Sequence, residues 1–359
     1  MSSTKQYSPP LMLKGWDTTN EEARLFRDDN KIFMAYMDMT AACDMNCVYC
    51  QARAGKPLPG ELSLGERKNV LKQLADMRCK AIHFAGQGEP TLDKHFWEIL
   101  QYVNELGMTP VVFTHGANLD REKILLLKAL NTSLIIKVHS FNPVVQDVLV
   151  GKKGYSEKRG QILNMLMEEG FNQCTPTMLG IDTVMTFDNR DELESIFRFC
   201  RDNNIFPELK TMITANRAGK VVDKYQLHAE DVESIATHLL QIDQEEYGYT
   251  WDITPPYIAW SCNFYYGHIY VNILGDIYPC VGFTMTEPLG NVRSNSIEEI
   301  YNDNFMVRIR NIDRHITGIC ASCPIDCYGC PCRRMLKSGK TESVFETSKC
   351  WGDVVEERP

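Results

Sequence analysis

From about residue 31 to about residue 245, short runs of apolar, β-branched or aromatic residues alternate with longer amphipathic ones, and this alternation restricts the fold more than any other property of the chain. Strands are expected at Ile32–Met39, Ala81–Ala85, Thr109–Thr114, Ser133–Val138, Gly180–Met185 and Glu208–Ile213. Helices are expected at Leu64–Met77, Lys94–Glu105, Arg121–Ala129, Lys158–Glu168, Arg190–Asn203 and Ala229–Gln241. Parallel strands need crossovers long enough to hold a helix, so such a series reads as an α/β fold with right-handed βα units. Six units fit a partial (β/α)6 TIM-like barrel over residues 31–247, after an N-terminal extension (1–30) and before a small, loop-rich C-terminal domain (248–359). In barrel enzymes the reactive groups lie on loops at the C-terminal ends of the strands.

Two of those loops carry unusual residues. Cys43, Cys47 and Cys50 form a C-x3-C-x2-C triplet directly after the first strand. Three thiolates on one short loop can hold three irons of a four-iron cubane and leave the fourth to an external molecule, whereas a closed zinc site would take a fourth Cys or His. After the second strand comes Gly86-Gln87-Gly88-Glu89-Pro90. A glycine-containing loop leaves backbone acceptors bare, and together with a carboxylate these suit a cationic ligand group. The plain alternative is a redox or zinc triplet beside an ordinary turn.

Among the 359 residues 44% are hydrophobic, so a sizeable core is expected, and the net charge of -9 without a long basic run argues against nucleic acid. Met1–Pro10 is polar and no apolar stretch approaches the roughly 18 residues of a membrane span, so no membrane and a cytoplasmic location are expected. In a reducing compartment fourteen cysteines clustered in two regions favour metal ligation over disulfides. Cys79, Cys174 and Cys200 lie outside both regions and are read as core residues. His83, His115 and His139 are candidate bases in or just after strands, although a core or loop histidine is commoner, and Glu208 is a carboxylate that could face the barrel interior.

The cysteine triplet, the aromatic Tyr49 within it and the Gly-Glu-Pro loop together resemble the radical S-adenosylmethionine (SAM) superfamily. The resemblance implies a [4Fe-4S] cluster on Cys43, Cys47 and Cys50, with an open iron that chelates SAM and cleaves it reductively to a 5′-deoxyadenosyl radical. It implies the main chain at Tyr49 near adenine, and Gly88, Glu89 and Pro90 beside the methionyl ammonium. More loosely, it places Lys137 and Ser140 near the ribose and carboxylate, Gly180–Val184 and Asn189 near adenine, and Arg217 within reach of the carboxylate. It also implies an electron donor of flavodoxin or ferredoxin type. A Ser or Asn at a strand end is otherwise a helix cap or turn former.

After residue 250 the cysteines return as Cys262, Cys280, Cys320, Cys323, Cys327, Cys330, Cys332 and Cys350. His268–Leu274, the turn at Gly275-Asp276 and Ile277–Cys280 read as a hairpin that fixes Cys280, and the aromatic group from Phe264 to Tyr278 reads as packing around it. This region resembles the SPASM extension of radical SAM enzymes, which carries two auxiliary [4Fe-4S] clusters. Position by position, Cys262, Cys280 and Cys332 fall on the inner cluster, and Cys320, Cys323, Cys327 and Cys350 on the outer one. Cys330 is surplus to that pattern: it is a fourth inner ligand, a replacement for Cys327 on the outer cluster, or a free thiol that returns hydrogen to a substrate radical. Structural zinc sites are the alternative for the whole region.

Within this reading the substrate is expected to be a small polar molecule, such as an amino sugar or aminocyclitol, that is dehydrogenated or epimerised. Peptide-modifying relatives often carry a leader-binding domain, whereas only 42 residues precede Cys43, and an acidic chain would suit a cationic sugar. The alternative is a peptide- or protein-modifying maturase; a non-catalytic electron-transfer protein would need no Gly-Glu-Pro loop.

Overall fold

The computed structural model describes residues 12–355, which leaves the polar stretch Met1–Pro10 outside the described residues except by its sequence. Six strands lie side by side in chain order and parallel: β1 (Met34–Met37), β2 (Ala81–Phe84), β3 (Thr109–Thr114), β4 (Ser133–Lys137), β5 (Leu179–Met185) and β6 (Phe206–Thr211). The architecture is an α/β partial barrel, open because β6 continues into antiparallel β7 (Tyr257–Ile258) and β1 into parallel β8 (His268–Val271). Through β8 the hairpin partner β9 (Asp276–Tyr278) and the short β10 (Gly290–Asn291) extend the same sheet to ten strands. The C-terminal cysteine region therefore grows out of the barrel wall.

Both faces of the parallel strands are buried, as crossover helices require. Ala35, Met37, Ile82, Phe84, Val112, Leu134 and Ile136 face the helices. Met34, Tyr36, Val111, Phe113 and Ile135 alternate with them and face an aromatic inner core. The expected elements are present with small shifts at their ends. Helix 64–77 ends at Asp76, the helix expected from Lys158 begins at Tyr155, and Arg190 belongs to a 3-10 turn, Phe187–Glu192, ahead of the helix Leu193–Asp202. The last strand begins two residues early, at Phe206, because its pairing with β5 starts at Gly180. Several helices were not expected, among them two with clear start signals. Asn20–Asp28 starts at a reciprocal Thr19–Glu22 capping box, and Pro143–Val150 is capped by Asn142 with Pro143 in its first turn.

The segment before Asn20 closes the barrel from below, at the N-terminal ends of the strands. The Trp16 ring meets His83, Phe113, Phe206 and Trp260 at 4.7–5.9 Å between centroids, and the Gly15 carbonyl lies 2.9 Å from His83 Nε2. Burial pushes the His83 imidazole down to about 3, so it serves the plug as a neutral ring.

One buried ion pair ties the helix Leu193–Asp202 to Ala229–Ile242 and its π-helical extension. Arg201 donates to both oxygens of Asp243 at 2.7 and 2.8 Å, Trp251 Nε1 adds a third bond at 2.8 Å, and the guanidinium stacks over Phe197 and Tyr249. Removing one partner would strand the other charge in the core. Arg201→Ala is expected to lower unfolding free energy by about 3–5 kcal/mol, checked by chemical denaturation of the metal-free chain.

Candidate active site

At the C-terminal ends of β1–β6 the chain leaves an open cavity of about 160 Å³. One rim is the cysteine loop. Its shape is set by main-chain bonds, Cys43 N–H to Gly55 O, Asn46 N–H to Val150 O and Val48 N–H to Leu149 O, so the thiols of Cys43, Cys47 and Cys50 are free to face the cavity that they line. Next to them runs the loop after β2. Gly88 has φ +72°, and a Cβ there would sit 2.0 Å from Thr40 O and 2.8 Å from Ala42 O; Glu89 N–H bonds Ala42 O at 2.7 Å. The two loops thus lie backbone against backbone, which only glycine permits.

The Glu89 carboxylate is buried and fully employed: Oε1 accepts from the Thr91 and Thr114 hydroxyls and Thr91 N–H, and Oε2 from His115 N–H at 3.0 Å. His115 Nε2 lies 2.8 Å from Asp44 and 3.3 Å from Glu89. Burial disfavours its charge, but the two carboxylates outweigh burial and raise its basicity.

Across the cavity a row of charges crosses three strands in register: Lys137 on β4 faces Asp182 on β5, which faces Glu208 on β6. Lys210, two residues beyond Glu208 on the same face, lies 3.0 Å from Glu208 Oε1 and 3.2 Å from Asp182 Oδ2; Lys137 pairs with Asp182 as well. Burial opposes ionisation of Asp182, yet the two ammonium groups hold its carboxyl well below the usual range. Burial raises Glu208 to about 7, with Lys210 opposing the rise and Asp182 adding to it.

Of the cofactor residues expected from the sequence, Tyr49, Gly88, Glu89 and Lys137 line this cavity together with the three cysteines. Pro90, Ser140, Asn189 and Arg217 are not among its lining residues. Pro90 starts the 3-10 turn Pro90–Leu92. Ser140 bonds Glu192 and the Asn142 main chain, so it shapes the entry to helix Pro143–Val150. The buried Asn189 amide donates to His139 O and Val184 O and so joins the ends of β4 and β5. Arg217 donates to Cys47 O at 3.0 Å and braces the cysteine loop from outside. His139, pushed down to about 3 by burial, accepts from Val184 N–H and meets the Tyr49 hydroxyl, so it too is a neutral strut. Of the stretch Gly180–Val184, Asp182 and Val184 line the cavity; Lys210 was not singled out in the sequence, where charged residues alternating inside otherwise apolar strands were the available signal.

The C-terminal cysteines converge in one region, with Cys327 near Cys262 and Cys330 as well as near Cys320 and Cys350. The Cys330 and Cys332 sulfurs are 3.3 Å apart, Cys332 also contacts Cys280, and Cys262 interacts with Cys330 and Cys332. Cys327 interacts with Cys320 and Cys350, and Cys323 N–H bonds Cys320 O across the C-x2-C turn. Phe264, Tyr265, Tyr266, Tyr270 and Tyr278 pack in the same core as Cys330 and Cys332. Cys79 and Cys200 are buried in the helix-facing core.

A metal cluster and SAM were tested against these features. Three thiols facing one cavity offer three soft ligands, and the adjoining glycine cradle, which a Cβ would fill, leaves main-chain groups open to a ligand's polar end, so the residues fit both groups. Gly88→Ala is expected to force the loops apart, with about 1–3 kcal/mol of strain, and to weaken SAM binding by about tenfold or more, checked by equilibrium dialysis with the iron content unchanged.

Comparison with known proteins agrees. Residues 37–200 match the model of the radical SAM superfamily, and residues 262–324 that of the SPASM iron-sulfur cluster-binding domain. The chain is 27% identical over 279 residues to the sporulation killing factor maturation protein SkfB of Bacillus subtilis, covering 74% of this chain and 63% of that protein. It therefore spans less than two thirds of this relative. It is 23% identical over 329 residues to the AdoMet-dependent heme synthase of Methanosarcina barkeri, covering 84% and 92% of the two chains. In fold it is similar to Streptococcus suis SuiB bound to S-adenosylmethionine, with a TM-score of 0.69 at 16% identity over 89% of this chain and 77% of that one. Among the described residues no helix is long and apolar enough to cross a membrane. The two domain matches imply a [4Fe-4S] cluster, SAM and auxiliary iron–sulfur clusters, and with both matches in the expected order the chain belongs to the radical SAM superfamily and carries a SPASM domain.

Proposed function

We propose that this protein is a peptide-modifying radical SAM enzyme that removes hydrogen from a residue of a peptide substrate. The observation that carries the reading is the similarity to a killing factor maturation protein over 74% of the chain, beside the fold shared with SuiB, whose structure is also known bound to the precursor peptide SuiA. The cavity supports it: open to solvent, it runs from Cys43, Cys47 and Cys50 to Val281, next to Cys280, so one extended substrate can lie between the two cysteine regions. The expectation of an amino sugar rested on the number of residues before Cys43 and on overall charge, and neither describes the pocket. The peptide reading replaces it.

Cys43, Cys47 and Cys50 would hold the SAM-binding cluster, with the loop at Gly88 and Glu89 receiving the polar end of SAM. Cys262, Cys280, Cys330 and Cys332 would hold the inner auxiliary cluster, and Cys320, Cys323, Cys327 and Cys350 the outer one. Bound there, the cluster and SAM supply a 5′-deoxyadenosyl radical, and the difficult chemistry is the cofactor's. The chain's own task is to orient the reactive carbon and exclude water, with electrons delivered by a flavodoxin- or ferredoxin-type donor.

The test is anaerobic incubation of the reconstituted protein with SAM, a reductant and a panel of candidate precursor peptides. Release of 5′-deoxyadenosine together with a peptide lighter by two hydrogen atoms is the expected result. Because the heme synthase relative covers more of both chains, a porphyrin substrate is the second reading; turnover of a porphyrin with all peptides unchanged would establish that reading instead.

A further inference from the structure

In the charge row on the far wall of the cavity, Lys137 and the stretch that holds Asp182 were expected near SAM, whereas Glu208 and Lys210 have no such assignment. The row sits where a substrate would lie, and its two carboxyls differ. Asp182 is fully buried between Lys137 and Lys210 and stays ionised. Glu208 is 1% exposed and pairs with Lys210 alone through one oxygen, against the two lysines on Asp182; its Oε2, like Asp182 Oδ1, is buried without a hydrogen-bond partner. Two neighbouring carboxyls whose surroundings push their acidities apart mark a division of labour between a fixed charge and a proton carrier. The other groups that face Glu208 are the phenols of Tyr36 on β1 and Tyr257 on β7, both raised well above their ordinary range by burial and therefore neutral. Lys210, whose ammonium is favoured by Asp182 and Glu208 against burial, remains charged.

We propose that Glu208 is the proton acceptor of the reaction, with Oε2 receiving an N–H, O–H or S–H proton from the substrate group beside the carbon that loses hydrogen. This rests on the radical reading of the cavity. The balance requires such a group: a two-hydrogen oxidation removes one hydrogen atom, one further electron and one proton. The hydrogen atom leaves to the 5′-deoxyadenosyl radical and the electron to a one-electron acceptor of iron–sulfur class. The proton breaks from the substrate heteroatom and forms a bond to Glu208 Oε2. Lys137, Asp182 and Lys210 are positioning residues that keep this carboxyl aimed inward and near neutrality. The preferred substrate residue therefore presents a polar hydrogen, as Cys, Ser, Thr, Tyr or a main-chain amide does.

The sign of the pH dependence follows from the ionised form being the acceptor. Product formed per 5′-deoxyadenosine should be highest above pH 7 and fall as pH drops through about 7. Glu208→Gln should keep full iron and still release 5′-deoxyadenosine, while modified peptide drops by about 100-fold or more and the pH dependence disappears. Glu208→Asp, which restores a carboxylate, should recover part of the yield. Infrared titration supplies a readout independent of turnover. A carboxyl C=O band titrating near neutrality should appear in the wild-type-minus-Glu208→Gln difference spectrum, which cancels Asp38, another buried carboxyl raised to about 7. A Gln variant with wild-type yield, or a difference spectrum without that band, would overturn the proposal. If the wild type releases 5′-deoxyadenosine but modifies no peptide, the substrate reading fails while the infrared arm still decides the role of Glu208.

Discussion

Replacing Cys43, Cys47 and Cys50 together by Ala is expected to remove about four of about twelve irons per anaerobically reconstituted chain and to abolish reductive cleavage of SAM. The effect is total for the chemistry because these are the three thiols that share the cavity with the Gly88–Glu89 loop. It is local for the fold because the loop is held by main-chain bonds to Gly55, Leu149 and Val150 that survive the loss of the thiols. The variant should therefore remain folded and keep the irons bound at the C-terminal cysteines. Elemental analysis and anaerobic product assay check this. Iron near four per wild-type chain, with zinc making up the balance, would contradict the assignment of two auxiliary clusters.

Cys330→Ala is the second substitution with a large expected effect. Cys330 is buried, its sulfur lies 3.3 Å from that of Cys332, and Cys262 and Cys280 adjoin the same pair. With Cys330 as the fourth ligand of the proposed inner cluster, the variant should lose iron or show a changed cluster spectrum and reduction potential, because ligand and sulfur environment set that potential. A thiol that served instead as a hydrogen donor would leave iron and spectra unchanged, and solvent deuterium would enter the product in wild type alone. That second pattern would remove Cys330 from the ligand set.

The barrel was legible because its signals are local and repeated. Strand runs at Ala81, Thr109 and Ser133 and the helix at Arg121–Ala129 appear almost where the periodicity places them. The cysteine triplet and the Gly-Glu-Pro loop were legible for the same reason: each is a short run that fixes its own geometry. What the sequence hid depends on contacts far apart in the chain. Trp16 plugs the barrel against Phe206 and Trp260, β8 pairs beside β1 across more than 200 residues, and the Lys137–Asp182–Glu208 row exists only once three strands are in register. Ser140 and Asn189 show the opposite hazard, since polar residues at strand ends bond their neighbours' main chain and look the same in sequence whether they meet a ligand or a loop.

In the proposed function this cavity places a peptide carbon against the radical derived from SAM. The direct measurement is isotope transfer: a fully deuterated candidate peptide, SAM, reductant and reconstituted protein, followed by mass analysis of the released 5′-deoxyadenosine. The expected product is 5′-deoxyadenosine carrying deuterium, formed in step with modified peptide. 5′-Deoxyadenosine free of deuterium from every candidate peptide, or none released at all, would contradict that placement.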